Sequence, residues 1–209
     1  MKKKHLIFSL LAAIIISITI ISYSTGVQTD LSQNLLRLHI LANSDSVKDQ
    51  ELKLAVRNRL LKESRNMFAE STSLDETKAI LSENKTILIK AAEDEINKQG
   101  FSYSVNIETG VYDFPMKTYE KYSLPSGKYE AVRVEIGEAR GHNWWCVMFP
   151  PLCFVDAASD SEKTDKYLKK ALREDEISLI TTEDGFDVRF KIVDMIETSV
   201  SGIRTALNR

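Results

Sequence analysis

Cysteine and histidine are scarce in this chain, and their scarcity excludes several kinds of site. The 209 residues include two cysteines and three histidines. Cys146 and Cys153 lack the paired spacing of a zinc ribbon, and only His39 and His142 lie beyond residue 24, so we expect no metal site. A glycine-rich phosphate loop and a G-x-S-x-G nucleophile elbow are also missing, so no cofactor is expected.

The chain also has no excess of basic residues. The chain has 28 Lys and Arg against 30 Asp and Glu, a formal charge of −2. Nucleic-acid binding needs a basic face, so this balance argues against a nucleic-acid partner. Repeats, low-complexity tracts and long Gly/Ser linkers are absent too. We therefore expect a polar tether over residues 25–34 and one domain over residues 35–209, long enough to bury a sizeable core.

A long apolar run occurs at the N-terminus. Lys2, Lys3 and Lys4 precede an apolar stretch over residues 6–21, the pattern of a secretory signal. The run is long for a cleaved signal and short for a spanning helix, which needs roughly 20 residues. Residues 1–24 are therefore predicted to be a signal peptide or an uncleaved N-terminal anchor. Either way we expect the rest of the chain to be exported, with membrane contact only through this segment.

The spacing of apolar residues in the remainder predicts an α+β fold. We expect a mostly antiparallel sheet, helices largely on one face, an N-terminal helical hairpin and a C-terminal amphipathic helix. A turn at Thr109-Gly110 is predicted to separate two strands, and residues 144–149 are predicted to form a central strand, because they are apolar on both faces. The predicted helices span residues 46–68, 73–100, 160–174 and 193–207, and the other strands span 35–41, 101–107, 112–116, 128–136 and 186–190.

Rare residue types are concentrated between residues 122 and 154. This stretch contains both cysteines, both tryptophans and the Pro150-Pro151 pair. Two cysteines in an exported chain favour a disulfide, and the Pro-Pro turn could fold Cys153 back toward Cys146. Two alternatives stay open. The thiols could be inert, or one could be a nucleophile paired with a histidine.

Two pairs of residues are candidates for binding. Trp144 and Trp145 alternate on a strand, so one indole should point inward and the other outward, where it could anchor a protein partner. The alternative is that both are buried as packing residues. Arg37 and His39 share one face of a short strand, and such a pair can equally be structural.

Two segments resemble the stage II sporulation protein R family. The first is LRLHILANSD (residues 36–45), followed by a helix. The second runs from residue 124 to residue 154 and contains the consecutive pieces Asn-Trp-Trp-Cys (143–146) and Pro-Pro-Leu-Cys (150–153). The resemblance covers residues 35 to 193. One departure is the loop at residues 138–141, where a more glycine-rich turn is expected.

The resemblance implies a secreted signalling protein of endospore-forming bacteria that is not itself an enzyme. Such proteins are made in the forespore and exported across its membrane into the septal intermembrane space. There they activate a membrane-embedded aspartic protease of the mother cell, which then processes a pro-sigma factor.

We expect the two segments to form one surface for the extracytoplasmic region of that protease. The candidate partner-binding residues are Arg37, His39, Asn43, Asp45, His142, Asn143, Trp144 and Trp145. The main alternative is a thiol-dependent hydrolase acting in the septal space. A membrane-anchored structural protein is a second alternative, and it requires an uncleaved N-terminus.

Overall fold

A computed structural model of the chain describes residues 5, 11, 14–19, 31–68, 71–119, 122–154 and 161–181. Its elements confirm the predicted α+β class. The strands are β1 (Leu36–Leu41), β2 (Val105–Phe114), β3 (Lys117–Tyr119), β4 (Tyr122–Leu124), β5 (Gly127–Ile136) and β6 (Asn143–Phe149). The helices are α1 (Val47–Phe68), α2 (Leu74–Lys98), α3 (Ser161–Ala171) and α4 (Glu174–Ile180), and residues Leu152–Phe154 form a 3-10 turn.

Four strands form the main sheet, in the order β2-β5-β1-β6. Strand β1 is parallel to β5 and antiparallel to β6, and β2 is antiparallel to β5. The short strands β3 and β4 form a separate antiparallel pair. The sheet is therefore mostly antiparallel, as predicted. All six residues of β1 are buried, because this strand lies between two others and both of its faces are covered.

The two long helices begin where the sequence predicts their caps. The Ser46 hydroxyl accepts a hydrogen bond from the Asp49 amide, and the Ser73 hydroxyl accepts one from the Glu76 amide, each over 3.2 Å. These bonds satisfy amides that a helix N-terminus leaves unpaired. Helices α1 and α2 then pack together as the predicted hairpin.

Each face of the sheet supports its own hydrophobic core. The first core lies under α1 and α2, which cover alternate side chains of β1, β5 and β6. The second core lies on the opposite face, under β3, β4, α3 and α4. Helices therefore cover both faces, although the sequence pattern placed most of them on one. The second core consists of Leu31, Leu35, Phe114, Tyr122, Leu124, Tyr129, Ala131, Val147, Leu168, Leu172 and Ile180.

Two strand predictions were wrong. No turn occurs at Thr109-Gly110, because β2 runs straight through both residues and pairs with β5 from Val105 to Phe114. Strand β6 is also not central, since it lies at the end of the described sheet. It is apolar on both faces because each face contributes to a different core.

Other boundaries differ by smaller amounts. The predicted helix over residues 160–174 ends at Ala171, and α4 begins at Glu174. Leu31, placed in the predicted tether, is fully buried in the second core, so packing begins before residue 35. The predicted strand at 186–190 and the C-terminal amphipathic helix at 193–207 lie outside the described residues. Within the described part, no helix is both long and apolar enough to cross a membrane.

Candidate functional site

The two segments that carry the family resemblance meet at one end of the sheet. Strands β1 and β6 are antiparallel, so the last residues of β1 lie beside the first residues of β6. Leu41 pairs with Asn143, and His39 pairs with Trp145. The loops that continue from these strand ends, residues 42–46 and 137–142, therefore lie side by side. We call residues 39–46 and 137–145 together the motif end of the sheet.

Backbone hydrogen bonds hold the two loops together. The Gly141 amide donates to the Ala42 carbonyl oxygen over 2.9 Å, and the Arg140 amide donates to the Asn43 carbonyl oxygen over 3.2 Å. The Asn43 side-chain oxygen also accepts a bond from the Glu138 amide, over 3.0 Å. Asn43, which is half-buried, therefore holds one loop against the other.

Two glycines make this close approach possible. A Cβ atom placed on Gly137 would lie 2.3 Å from the side-chain oxygen of Asn43, and one placed on Gly141 would lie 2.2 Å from the Ser44 carbonyl oxygen. Gly137 also has a φ of +59°, in the left-handed region that favours glycine. Sterically, neither position has room for a side chain.

Ala139 lies in the loop, residues 138–141, where the family resemblance leads us to expect a more glycine-rich turn. Its φ is +52°, and it is the only non-glycine residue with positive φ in the described part of the chain. The left-handed region costs an L-residue roughly 1–2 kcal/mol. The loop therefore keeps a glycine-like conformation despite its departure in sequence.

Replacing Ala139 by glycine should stabilise the protein by roughly 0.5–1 kcal/mol. The substitution removes the conformational cost in the folded state, and the greater freedom of glycine in the unfolded chain offsets part of that gain. Urea denaturation of the two proteins measures the difference. A lower stability for Ala139→Gly would contradict the left-handed conformation at this position.

Asp45 and His142 form an exposed contact between the two loops. One carboxylate oxygen of Asp45 accepts a 2.6 Å hydrogen bond from the His142 amide and also contacts the Nδ1 atom of the His142 ring. The side chains remain 56% and 77% exposed, respectively. They are thus fixed relative to each other and still accessible to another molecule.

Buried polar groups of α1 support this contact from below. The Lys53 side chain is 5% exposed, and its Nζ atom donates to the His142 carbonyl oxygen over 2.8 Å. Burial lowers the pKa of Lys53. The Asp49 carboxylate accepts hydrogen bonds from Ser44 and Asn43. Burial alone would raise the pKa of Asp49, but these bonds and others from Tyr103 and Ser46 lower it below its ordinary value.

His39 lies against Trp145 on the face of the sheet that carries the second core. The two rings are stacked with their centroids 3.8 Å apart, and the Trp145 ring is 4.6 Å from that of Phe114. The Nε2 atom of His39 lies 2.7 Å from the side-chain oxygen of Asn143, while its buried Nδ1 atom has no hydrogen-bond partner. Burial, together with the positive charge of Arg133, lowers the pKa of His39 below its ordinary value of 6.5.

The lowered pKa of His39 predicts a loss of stability in mild acid. Below pH 6.5 the unfolded chain takes up a proton on this residue that the folded chain does not. The contribution of His39 to the free energy of unfolding is therefore complete above pH 6.5 and falls as the pH drops toward the folded-state pKa. Urea denaturation across this range measures the effect, and His39→Gln should remove this component. An unchanged pH dependence in His39→Gln would assign the loss of stability to other groups.

The two indoles point to opposite faces, as the strand alternation predicts, but both are half-buried. Trp144 packs at the margin of the first core, and the guanidinium of Arg57 lies 5.0 Å from its ring centroid. Trp145 belongs to the margin of the second core. Neither is a freely exposed anchor, so part of the role of each tryptophan is packing.

Arg37 lies deep in the second core rather than at the surface. Its side chain is fully buried, and its guanidinium lies 4.4 Å from the ring centroid of Phe114 and 4.9 Å from that of Tyr129. The Nε atom donates to the Cys146 carbonyl oxygen, and the Nη2 atom donates to the Tyr119 hydroxyl. Arg37 therefore ties β1 to β6 and β3, and it does not share an accessible surface with Asp45 and His142.

Cys146 and Cys153 form a disulfide, with their Cα atoms 5.8 Å apart. Both cysteines of the chain are used in this bond. Cys153 and Phe154 pack against the first core, while Leu152 packs against the second. The 3-10 turn thus contacts cores on opposite faces of the sheet. The disulfide holds it there.

The predicted site residues thus separate by accessibility. Asp45, His142 and Asn143 are exposed at the motif end, the two tryptophans are half-buried, and Arg37 and His39 are buried. No group of three metal-binding side chains occurs in the part of the chain that the structure describes.

Sequence reasoning missed Lys53, Asp49, Gly137 and Gly141 as supports of the motif end. Lys53 could have been recognised because it lies between Leu52 and Val56, two residues on the apolar face of the predicted helix. The two glycines could have been recognised because they lie four residues apart in a chain that has only eight glycines.

Comparisons with known proteins give a consistent result. The family model described as stage II sporulation protein R matches residues 32–159. The stage II sporulation protein R of Bacillus subtilis (strain 168) is 33% identical over 177 residues, which cover 77% of this chain and 79% of that protein. No solved structure matches.

Proposed function

This chain belongs to the stage II sporulation protein R family, and on that basis we propose that it acts as a secreted signal between the two cells of the sporangium. In this proposal the protein crosses the forespore membrane and enters the septal intermembrane space. There it binds the extracytoplasmic region of a membrane-embedded aspartic protease of the mother cell. Binding activates the protease, which then processes a pro-sigma factor.

The main support in the structure is the exposed contact between Asp45 and His142. It joins two segments that lie 97 residues apart in the chain. Backbone bonds and two glycines without room for side chains hold these segments in place. A surface whose exposed side chains are fixed in this way loses little conformational entropy when a partner binds. Asp45, His142 and Asn143 are therefore the proposed contact residues.

Activation in this proposal is a shift in a conformational equilibrium of the protease. A binding protein shifts such an equilibrium only by the difference between its affinities for the two states. The motif end would accordingly have to fit the active state of the protease better than the inactive state. No chemical step on this chain is needed for that effect.

The hydrolase alternative requires a thiolate, and here the disulfide weighs against it. Both cysteines are bonded to each other, so a cysteine nucleophile would form only after reduction. His39, one of the two candidate bases, is stacked on Trp145 and buried. The ring of His142, the other candidate base, contacts the carboxylate of Asp45.

Export is supported by the N-terminal segment. Its described residues are helical, and the apolar side chains among them are highly exposed. Exposed apolar side chains are suited to contact with a membrane or a translocation channel rather than to packing in the domain core. The exposed residues are Leu11, Ile14, Ile15, Ile16 and Ile18.

Replacing His142 by alanine should abolish signalling while leaving the domain folded. The side chain is 77% exposed, so its loss removes a contact for the partner but little packing. The test is complementation of Bacillus subtilis that lacks its own stage II sporulation protein R, with processing of the pro-sigma factor followed by immunoblot. The thermal unfolding of the purified variant shows whether the fold is retained.

A matched control is Lys90→Ala, an exposed position on α2 away from the motif end. Processing should continue with this variant. Normal processing with His142→Ala would remove this residue from the proposed contact surface. Loss of export or of folding in the same variant would return it to a structural role and count against the proposal.

A further inference from the structure

We infer that a basic trough along α1 binds an acidic, extended segment of a protein partner. The trough is formed by two adjoining grooves. One, of about 310 Å³, is lined by Asn58, Leu61, Lys62, Arg65 and Cys153. The inference rests on the proposed function in one respect, that the chain acts by binding another protein.

The second groove lies beside the first, on the flank of α1 that faces α2. It has a volume of about 350 Å³ and shares Asn58 and Lys62 with the first. Because α1 and α2 pack side by side, the second groove is bounded by both helices, and Glu95 and Lys98 of α2 contribute to it. Each groove includes a half-buried apolar side chain, Leu61 in the first and Ala55 in the second.

The charge of the trough is opposite to that of the whole chain. Its lining residues include four cations and a single carboxylate, that of Glu95, whereas the whole chain has a formal charge of −2. A concave surface lined by charges of one sign raises the local concentration of ligands that carry the opposite charge. The four cations are Arg59, Lys62, Arg65 and Lys98.

Two of these cations have no carboxylate partner among the described residues. Arg59 is paired with Glu63 over 3.3 Å, and Lys98 lies 3.8 Å from Glu95. In the described part of the chain, Lys62 and Arg65 have no acidic side chain within ion-pair distance. Both are exposed, so an incoming carboxylate can reach them without first breaking an internal ion pair.

The trough adjoins the segments that carry the family resemblance. The Arg65 side chain donates to the Phe154 carbonyl oxygen over 3.4 Å, and Cys153 forms part of the wall of the first groove. On the preceding turns of α1, Arg57 stacks on Trp144 and Lys53 supports His142. One partner could therefore contact the trough and the motif end together.

The shape of the trough favours a peptide over a membrane surface. An extended chain that crosses Asn58 and Lys62 spans both grooves, so its acidic side chains can reach the cations while its apolar side chains contact Leu61. A flat array of lipid headgroups would reach the exposed cations but not the half-buried apolar side chains in the grooves.

The test is a binding titration with the purified full-length protein and a fluorescein-labelled peptide of alternating Glu and Leu, followed by fluorescence anisotropy. We expect binding that weakens as salt is added. The double variant Lys62→Gln/Arg65→Gln should bind roughly tenfold more weakly, because it removes two partly screened ion pairs. Both residues are exposed, and thermal unfolding of the variant confirms that it folds.

The matched control is Lys85→Gln/Lys90→Gln, which makes the same charge change at exposed positions on α2. Its affinity should equal that of the natural protein. The inference would be overturned if the Lys62/Arg65 variant bound the peptide as tightly as the natural protein does. It would also be overturned if the control lost as much affinity as the Lys62/Arg65 variant.

Sedimentation with phosphatidylglycerol vesicles distinguishes the membrane as an occupant. If vesicle binding depends on Lys62 and Arg65 while the peptide does not bind, the trough is a lipid site and the inference is wrong. The protease is absent from both assays. A failure of peptide binding is therefore distinct from a failure of His142→Ala to abolish signalling, which tests the proposed function alone.

Discussion

Replacing Gly141 by alanine is expected to lower the free energy of unfolding by about 3 kcal/mol, the upper part of the usual range for overpacking. Gly141 is buried, and an added Cβ atom would lie 2.2 Å from the Ser44 carbonyl oxygen and 2.9 Å from the Cβ of Ala42. The nearest obstacle is backbone, so no side-chain rotation relieves the clash. The loops must separate, which also breaks the bond from the Gly141 amide to the Ala42 carbonyl oxygen.

Gly110→Ala provides the matched control for Gly141→Ala. A Cβ atom there would meet the side chain of Tyr112 at 3.2 Å, and a side chain can rotate away. Its effect should stay within about 0.5 kcal/mol. Urea denaturation of the three proteins measures both differences. If Gly141→Ala were as stable as the control, the close packing of the two loops would be disproved.

Loss of the disulfide is expected to lower the free energy of unfolding by about 2.5 kcal/mol. This is the loop-closure entropy for two cysteines seven residues apart. Cys146→Ala, Cys153→Ala and the double variant should lose similar amounts, because each removes the same cross-link. The loss of structure should be concentrated at the 3-10 turn, whose side chains contact both cores.

Chemical reduction separates a structural cross-link from a reactive thiol. A thiol reductant should destabilise the natural protein to the level of the double variant and leave the double variant unchanged. Signalling by the single variants should decline together with their stability. If one cysteine variant lost all activity at full stability while the other retained it, the thiol-dependent hydrolase would become the better proposal.

Much of the fold could be predicted from local sequence patterns. The apolar spacing of α1 and the serine caps of both long helices are interactions within a few residues, and the structure confirms them. The wrong turn at Thr109-Gly110 came from treating glycine as a turn residue. Pairing with β5 decides its conformation, and that pairing is not encoded locally. The prediction that β6 is central was wrong for a similar reason, since a different core buries each of its faces although it has one neighbouring strand in the described sheet.

The candidate site was predictable in position but not in detail. The resemblance located both loops, and the structure brings them together. It could not show that Arg37 points into a cluster of aromatic rings, because Phe114 and Tyr129 are distant in sequence. Nor could it show that Lys53 supports His142, 89 residues away. The first contact depends on which strands pair, and the second depends on how α1 lies on the sheet.

The position of β1 also determines when the sheet can be completed. This strand comes first in the chain but lies between β5 and β6, and the bond from Arg37 to Cys146 spans 109 residues. A chain emerging from an export channel with its N-terminus first would present β1 long before either neighbour. The α1–α2 hairpin, whose contacts are nearer in sequence, needs no such wait. On the proposed route of export, β1 has nothing to pair with until β5 has crossed the membrane, and the motif end is complete only after β6 has followed.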